Sequence, residues 1–105
     1  MKVVYVCCPK NLEAMEILSK VMGLDTLPLV PHFVFSGFEQ KFGKKYADMC
    51  RLNLMEKCEE VWLLTSFTSE EMKEDLEHAK KNSIPIVNKW QEIIKQEEEK
   101  LKLKF

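Results

Sequence analysis

Cys58-Glu59-Glu60-Val61-Trp62-Leu63-Leu64-Thr65-Ser66-Phe67-Thr68-Ser69-Glu70-Glu71-Met72-Lys73-Glu74-Asp75-Leu76-Glu77-His78-Ala79-Lys80-Lys81-Asn82-Ser83-Ile84-Pro85-Ile86-Val87-Asn88 reads as strand, helix, strand. Val61 to Leu64 is a short apolar run with a β-branched and an aromatic residue, the signature of a buried strand. Thr65 to Ser69 is a polar turn. Thr68 with Glu71 has the spacing of a capping box, in which a hydroxyl and a carboxylate satisfy the first free N–H groups of a helix. Lys80 and Lys81 suit the negative end of the helix dipole, and Asn82 suits a left-handed cap. Ile84 to Val87 is the next apolar run. A helix between two buried strands is a parallel crossover unit.

One residue of that helix sits where a structural helix would not place it. Met72, Leu76 and Ala79 recur at i, i+4 and i+7 and form the buried stripe. Asp75, at i+3, lies on the same stripe. A carboxylate facing a sheet needs a partner, a raised pKa or a wet cleft. The alternative is an Asp at the edge of the stripe that reaches water. Glu74 and Glu77 fall elsewhere, with His78 and Lys81 one turn on as partners.

On these residues the chain resembles the nucleoside 2-deoxyribosyltransferase-like superfamily, and within it a branch common in phages and bacteria. The resemblance is carried by Glu60-Val61-Trp62 and by the run from Ser69 to Ile86. It spans most of residues 2 to 88. It implies a nucleophilic carboxylate on the helix, then an apolar and a small residue, then a Pro in the next strand. Asp75, Leu76, Ala79 and Pro85 fall on those positions. The superfamily has Glu where this chain has Asp75, and Gly at the helix start, which is absent here.

The remaining chain fits the same plan. Val3 to Cys8 is a continuous β-branched and aromatic run, expected at the sheet centre. Pro9 ends it. Asn11 is placed to cap a helix from Leu12 to Met22, with Gly23 as its left-handed stop. Thr26 to Val30 is a second strand, and Pro28 within it marks an edge position. Ser36 to Lys45, with two Gly, three Lys, Phe38 and Phe42, reads as a loop or lid. Tyr46 to Lys57 is a helix whose apolar arc includes Arg51. Asn88 to Phe105 has Trp90, Ile93, Ile94 and Leu101 at helical spacing.

The expected fold is therefore α/β and Rossmann-like. It has a mostly parallel four-stranded sheet in the flavodoxin-like order 2-1-3-4, helices on both faces and a C-terminal helix. Residues 1–88 form the α/β domain and 89–105 a helical extension. The apolar stripe of that extension either caps the sheet or seals a homodimer or larger oligomer.

Composition narrows the partners. Sixteen basic and seventeen acidic residues among 105 nearly cancel, with a pI near 6.1. Nothing in this balance calls for nucleic acid or an anionic membrane. No apolar run approaches the roughly 20 residues of a membrane span, and the expected location is cytoplasmic. Cys7, Cys8, Cys50 and Cys58 have no CxxC spacing and read as reduced, buried thiols. A zinc site from Cys7, Cys8 and His32 would lack the usual paired ligand spacing. No metal or cofactor is expected.

In a parallel sheet, ligands gather at the carboxyl ends of the strands. Cys7, Cys8, Pro9, His32 and Ser66 belong to that edge. Met72, Asp75 and Arg51 project toward it from helices. The resemblance places a small residue, Gly and Pro at the first turn; Cys8 stands where the Gly would be and narrows the approach. His32 either contacts a sugar or phosphate or bonds a loop carbonyl. Arg51 either binds a ligand phosphate or pairs with Asp75. Phe38 either stacks on a base or plugs the core.

The resemblance implies a nucleoside- or nucleotide-derived ligand and attack of the carboxylate on C1′, as in a retaining glycosidase. Asp75 is one methylene shorter than Glu, and an error of about 1 Å can cost on the order of a hundredfold in rate. The leading expectation is a binding protein with weakened or lost catalysis. Sequestration of a nucleotide immune signal by a phage is an extrapolation from the branch's distribution. The alternative is an N-glycosidase or deoxyribosyltransferase with Asp75 as nucleophile. A structural or interaction module is the third.

Overall fold

The computed structural model describes residues 1–8, 13–65 and 69–103. Four strands form one parallel sheet: β1 (Lys2–Cys7), β2 (Thr26–Leu29), β3 (Glu60–Leu63) and β4 (Ile86–Asn88), in the order β2-β1-β3-β4. This is the expected Rossmann-like α/β arrangement. Helices α1 (Glu13–Val21), α2 (Pro31–Val34), α3 (Phe38–Phe42), α4 (Lys44–Glu56), α5 (Glu70–Lys81) and α6 (Lys89–Leu103) connect and cover the strands.

β1 is central because it tolerates burial on both faces. Val4, Tyr5, Val6 and Cys7 are each at most 1% exposed. Alternation along the strand sends Val4 and Val6 to one face and Tyr5 and Cys7 to the other. Val4 and Val6 pack with Leu18, Trp62 and Leu64 beneath α1 and α6. Tyr5 and Cys7 pack with Met55, Val61, Met72 and Ala79 beneath α4 and α5. Removing a large buried side chain from such a layer typically costs about 2–5 kcal/mol. Pro28 lies in β2 at the sheet edge, the position where a strand tolerates a residue without an N–H.

Several local expectations are corrected. The cap of α5 is Ser69, whose Oγ accepts from the Met72 N–H at 3.2 Å. Thr68, the hydroxyl of the expected capping box with Glu71, lies outside the described residues. Asn82 closes α5 at φ −99°, and the left-handed residue is Ser83 at φ 57°. Gly23 does not take a positive φ; Gly37 and Gly43 do. These two glycines flank α3, so 36–45 is not a plain loop but a short helix between two sharp turns. Asn11, expected to cap α1, lies outside the described residues. The fourth strand starts at Ile86 rather than Ile84.

α6 shares the α1 face of the sheet. Ile93 is 5% exposed and belongs to the body, whereas Ile94 and Leu101 are 37% and 57% exposed. Lys20 of α1 reaches Glu97 of α6 at 3.3 Å. The C-terminal stripe thus splits into a half that caps the sheet and a half that faces outward.

Candidate functional site

A cleft of about 400 Å³ opens where β1, α2 and the start of α5 converge. Its floor is the end of β1, with Val6, Cys7 and Cys8. Pro31 and His32 form one wall. Ser69, Glu70, Glu71, Met72 and Asp75 form the other. The placement follows from topology: the carboxyl end of the central parallel strand meets the N-terminus of the helix after β3.

Asp75 is 3% exposed and held on both oxygens. Oδ2 accepts from the Tyr5 hydroxyl at 2.9 Å. Oδ1 pairs with Arg51 Nη1. Arg51 is 4% exposed and is itself crowded: Nε faces Glu71 at 3.3 Å, and Nη2 faces Asp48 at 3.2 Å and Glu74 at 3.6 Å. Between the two sequence readings of Arg51, the structure has the pairing with Asp75. The reading of Asp75 as a water-facing edge residue is overturned. Glu74 turns to Arg51, and His78 lies 3.7 Å from Glu56 instead of pairing with Glu74.

Burial pushes the Tyr5 phenol well above its ordinary range, and the nearby Arg51 charge offsets only part of this. Tyr5 is therefore a neutral donor to Asp75. Burial raises the Cys7 thiol to about 12, helped by neighbouring Cys8, and the Cys8 thiol to about 11. Both are protonated near neutrality and are poor nucleophiles. His32 Nε2 donates to the Cys8 carbonyl oxygen at 2.9 Å. It buttresses the end of β1 while its ring still lines the cleft.

Of the expected site residues, Cys7, Cys8, His32, Met72 and Asp75 come together in the lining. Arg51 stands behind Asp75. Phe38 does not line the cleft; it continues an edge-to-face row from Phe35 (5.3 Å) to Phe42 (5.4 Å), and Phe42 meets Tyr46 at 5.5 Å. Pro9 and Ser66 lie outside the described residues. Tyr5 and Glu71 were not anticipated. A Tyr in the middle of a fully buried strand was the signal for the first, because its hydroxyl must find a partner. Among the described residues, no group of three or more His, Cys, Asp or Glu is arranged to hold a metal ion. Among them, too, no helix is long and apolar enough to cross a membrane.

What the fold and cleft define is a Rossmann-like α/β domain with a strand-end pocket and, beside it, a buried carboxylate ion-paired on one oxygen and hydrogen-bonded on the other. The chain belongs to the family described as domain of unknown function (DUF7768), whose model matches residues 2–89. That span covers the whole sheet and ends where α6 begins. No curated protein and no solved structure matches the chain.

Proposed function

We propose that this chain binds a nucleoside- or nucleotide-derived small molecule in the strand-end cleft, with catalysis weakened or lost. The observation that carries this reading is the state of Asp75. It borders the cleft, as the resemblance to the deoxyribosyltransferase-like superfamily requires, yet Oδ2 is hydrogen-bonded by Tyr5 and Oδ1 is ion-paired with Arg51. A carboxylate held in this way keeps its place beside a sugar, but each oxygen already has one partner that restrains it. Displacement at C1′ needs one oxygen free and aligned at about 3–3.5 Å.

The second reading, Asp75 as nucleophile of an N-glycosidase or deoxyribosyltransferase, is favoured by one fact: Asp75 is part of the cleft lining. The two readings separate in one experiment. Protein purified without stripping is analysed for co-purified nucleoside or nucleotide by intact mass. The same preparation is assayed for base release from deoxynucleosides and their monophosphates. Bound ligand with no base release supports the binding reading. Base release abolished by Asp75→Asn, with binding retained, overturns it in favour of the enzyme. Neither binding nor release leaves an interaction module. We further propose a homodimer, with the outward half of α6 as its contact.

A further inference from the structure

The cleft's charges bear on which form of ligand it accepts. Its lining contains Glu70, Glu71 and Asp75 and, among the described residues, neither Lys nor Arg. His32 already commits Nε2 to the Cys8 carbonyl. The guanidinium closest to hand, Arg51, has Nη1 on Asp75, Nε on Glu71 and Nη2 between Asp48 and Glu74. A phosphate would have to displace carboxylates to reach it.

The start of α5 is acidic as well. A helix N-terminus ordinarily attracts an anion. Here Ser69 Oγ takes the Met72 N–H, and Glu70 and Glu71 occupy the first turn. Lys73 offsets Glu70 at 3.4 Å and Lys44 offsets Asp48 at 2.9 Å. Even so, among the described residues five carboxylates (Asp48, Glu70, Glu71, Glu74, Asp75) face three cations. Of the two devices that commonly hold a phosphate, the positive fork is already engaged by the protein's own acids, and the helix start is capped at the Met72 N–H by Ser69 and carries two acids in its first turn.

We propose that the cleft selects an unphosphorylated nucleoside and discriminates against its phosphate ester. This rests on the nucleoside reading above and narrows it. Sugar hydroxyls and exocyclic amines are donors and match a carboxylate-lined wall, whereas a phosphate meets like charge. A phosphorylated immune signal is the ligand this wall suits least.

The test is calorimetric titration of the full chain with thymidine and deoxyadenosine and with their 5′-monophosphates. The expected result is at least tenfold tighter binding of each nucleoside than of its monophosphate, with the gap shrinking as salt is raised. Glu70→Gln is a fold-safe variant because that side chain is 93% exposed; it should narrow the gap about threefold by removing one like charge. Monophosphates that bind as tightly as nucleosides, or tighter, overturn this inference and leave the nucleoside reading standing. No binding of either form at millimolar concentration overturns both.

Discussion

Asp75 and Arg51 form an ion pair between α5 and α4, with both side chains withdrawn from water. The two partners are unequal. Arg51 also faces Asp48, Glu71 and Glu74, whereas among the described residues Asp75 has the Tyr5 hydroxyl besides. Breaking a buried pair is costly chiefly through the charge left behind.

Arg51→Met should therefore cost more than Asp75→Asn. The first strands a buried carboxylate and should cost about 3–5 kcal/mol. The second leaves a guanidinium that still has three carboxylates, and should cost about 1–3 kcal/mol. Urea unfolding of both variants checks the order; a larger loss in Asp75→Asn would contradict the asymmetry.

Tyr5→Phe removes the hydrogen bond to Asp75 without changing the ring. A bond to a charged acceptor contributes about 1.5–3 kcal/mol. In an Asp75→Asn background the loss should shrink by about 1 kcal/mol, because the two groups share one bond. Strictly additive effects in this double-mutant cycle would show that the bond contributes nothing.

Stability should fall on the alkaline side. Burial raises Cys7 from an ordinary 9.0 to about 12 and Cys8 to about 11. The folded chain thus holds these protons more tightly than the unfolded one. Below pH 9 both states are protonated and nothing changes. Above it the unfolded thiols ionise first, and stability is lost progressively as pH rises toward 12. Unfolding midpoints at pH 8, 9 and 10 should decline, and Cys7→Ala, though less stable throughout, should decline less steeply. A flat profile from pH 8 to 10 would mean these thiols do not stay protonated.

Ser83→Gly should stabilise the turn after α5. Ser83 holds φ 57°, which costs an L-residue about 1–2 kcal/mol. Glycine relieves this but loses about 0.4–1 kcal/mol through a freer unfolded chain, so a net gain of about half a kcal/mol is expected. Asn82→Gly should instead destabilise, since Asn82 sits at φ −99° and its Nδ2 donates to the His78 carbonyl at 2.9 Å. Thermal melts of the two variants should move in opposite directions.

The proposed dimer places Ile94 and Leu101 in the contact, because Ile93 is already used inside the chain. Light scattering should give twice the chain mass, reduced to one chain in Leu101→Glu. A monomer at about 100 μM would reject it, since an interface of ordinary size holds well below that concentration.

The sheet was legible because its signals are local and mutually consistent. Val3 to Cys8 has no polar face, so it could only be a strand covered on both sides. Pro28 cannot donate in a ladder, so its strand belonged at an edge. The strand–helix–strand rhythm around Asp75 required parallel crossovers, and their handedness left few strand orders. Asp75's inward aim followed from helical spacing with Met72 and Ala79.

Other features depended on where the chain was delivered. Thr68 and Ser69 both carry hydroxyls fit to cap a helix, and sequence alone did not single out Ser69, whose Oγ takes the Met72 N–H. Phe38, Phe42 and Tyr46 are spaced by four, a helical signal that the two flanking glycines obscured. His32 had two equal prospects until the end of β1 set the Cys8 carbonyl 2.9 Å from its ring.

By itself, then, the sequence determined an α/β chain with a parallel sheet, its central and edge strands, and an acid turned toward the core. Periodicity and backbone chemistry are properties of neighbouring residues, and they suffice for that. Only the tertiary structure decided what meets the acid. Tyr5 and Asp75 are 70 positions apart, and Arg51 comes from a third element. Their meeting depends on β1 lying under both α4 and α5, and on Tyr5 falling on the face of β1 that those helices cover. No local pattern encodes that coincidence, because it arises only when the layers pack.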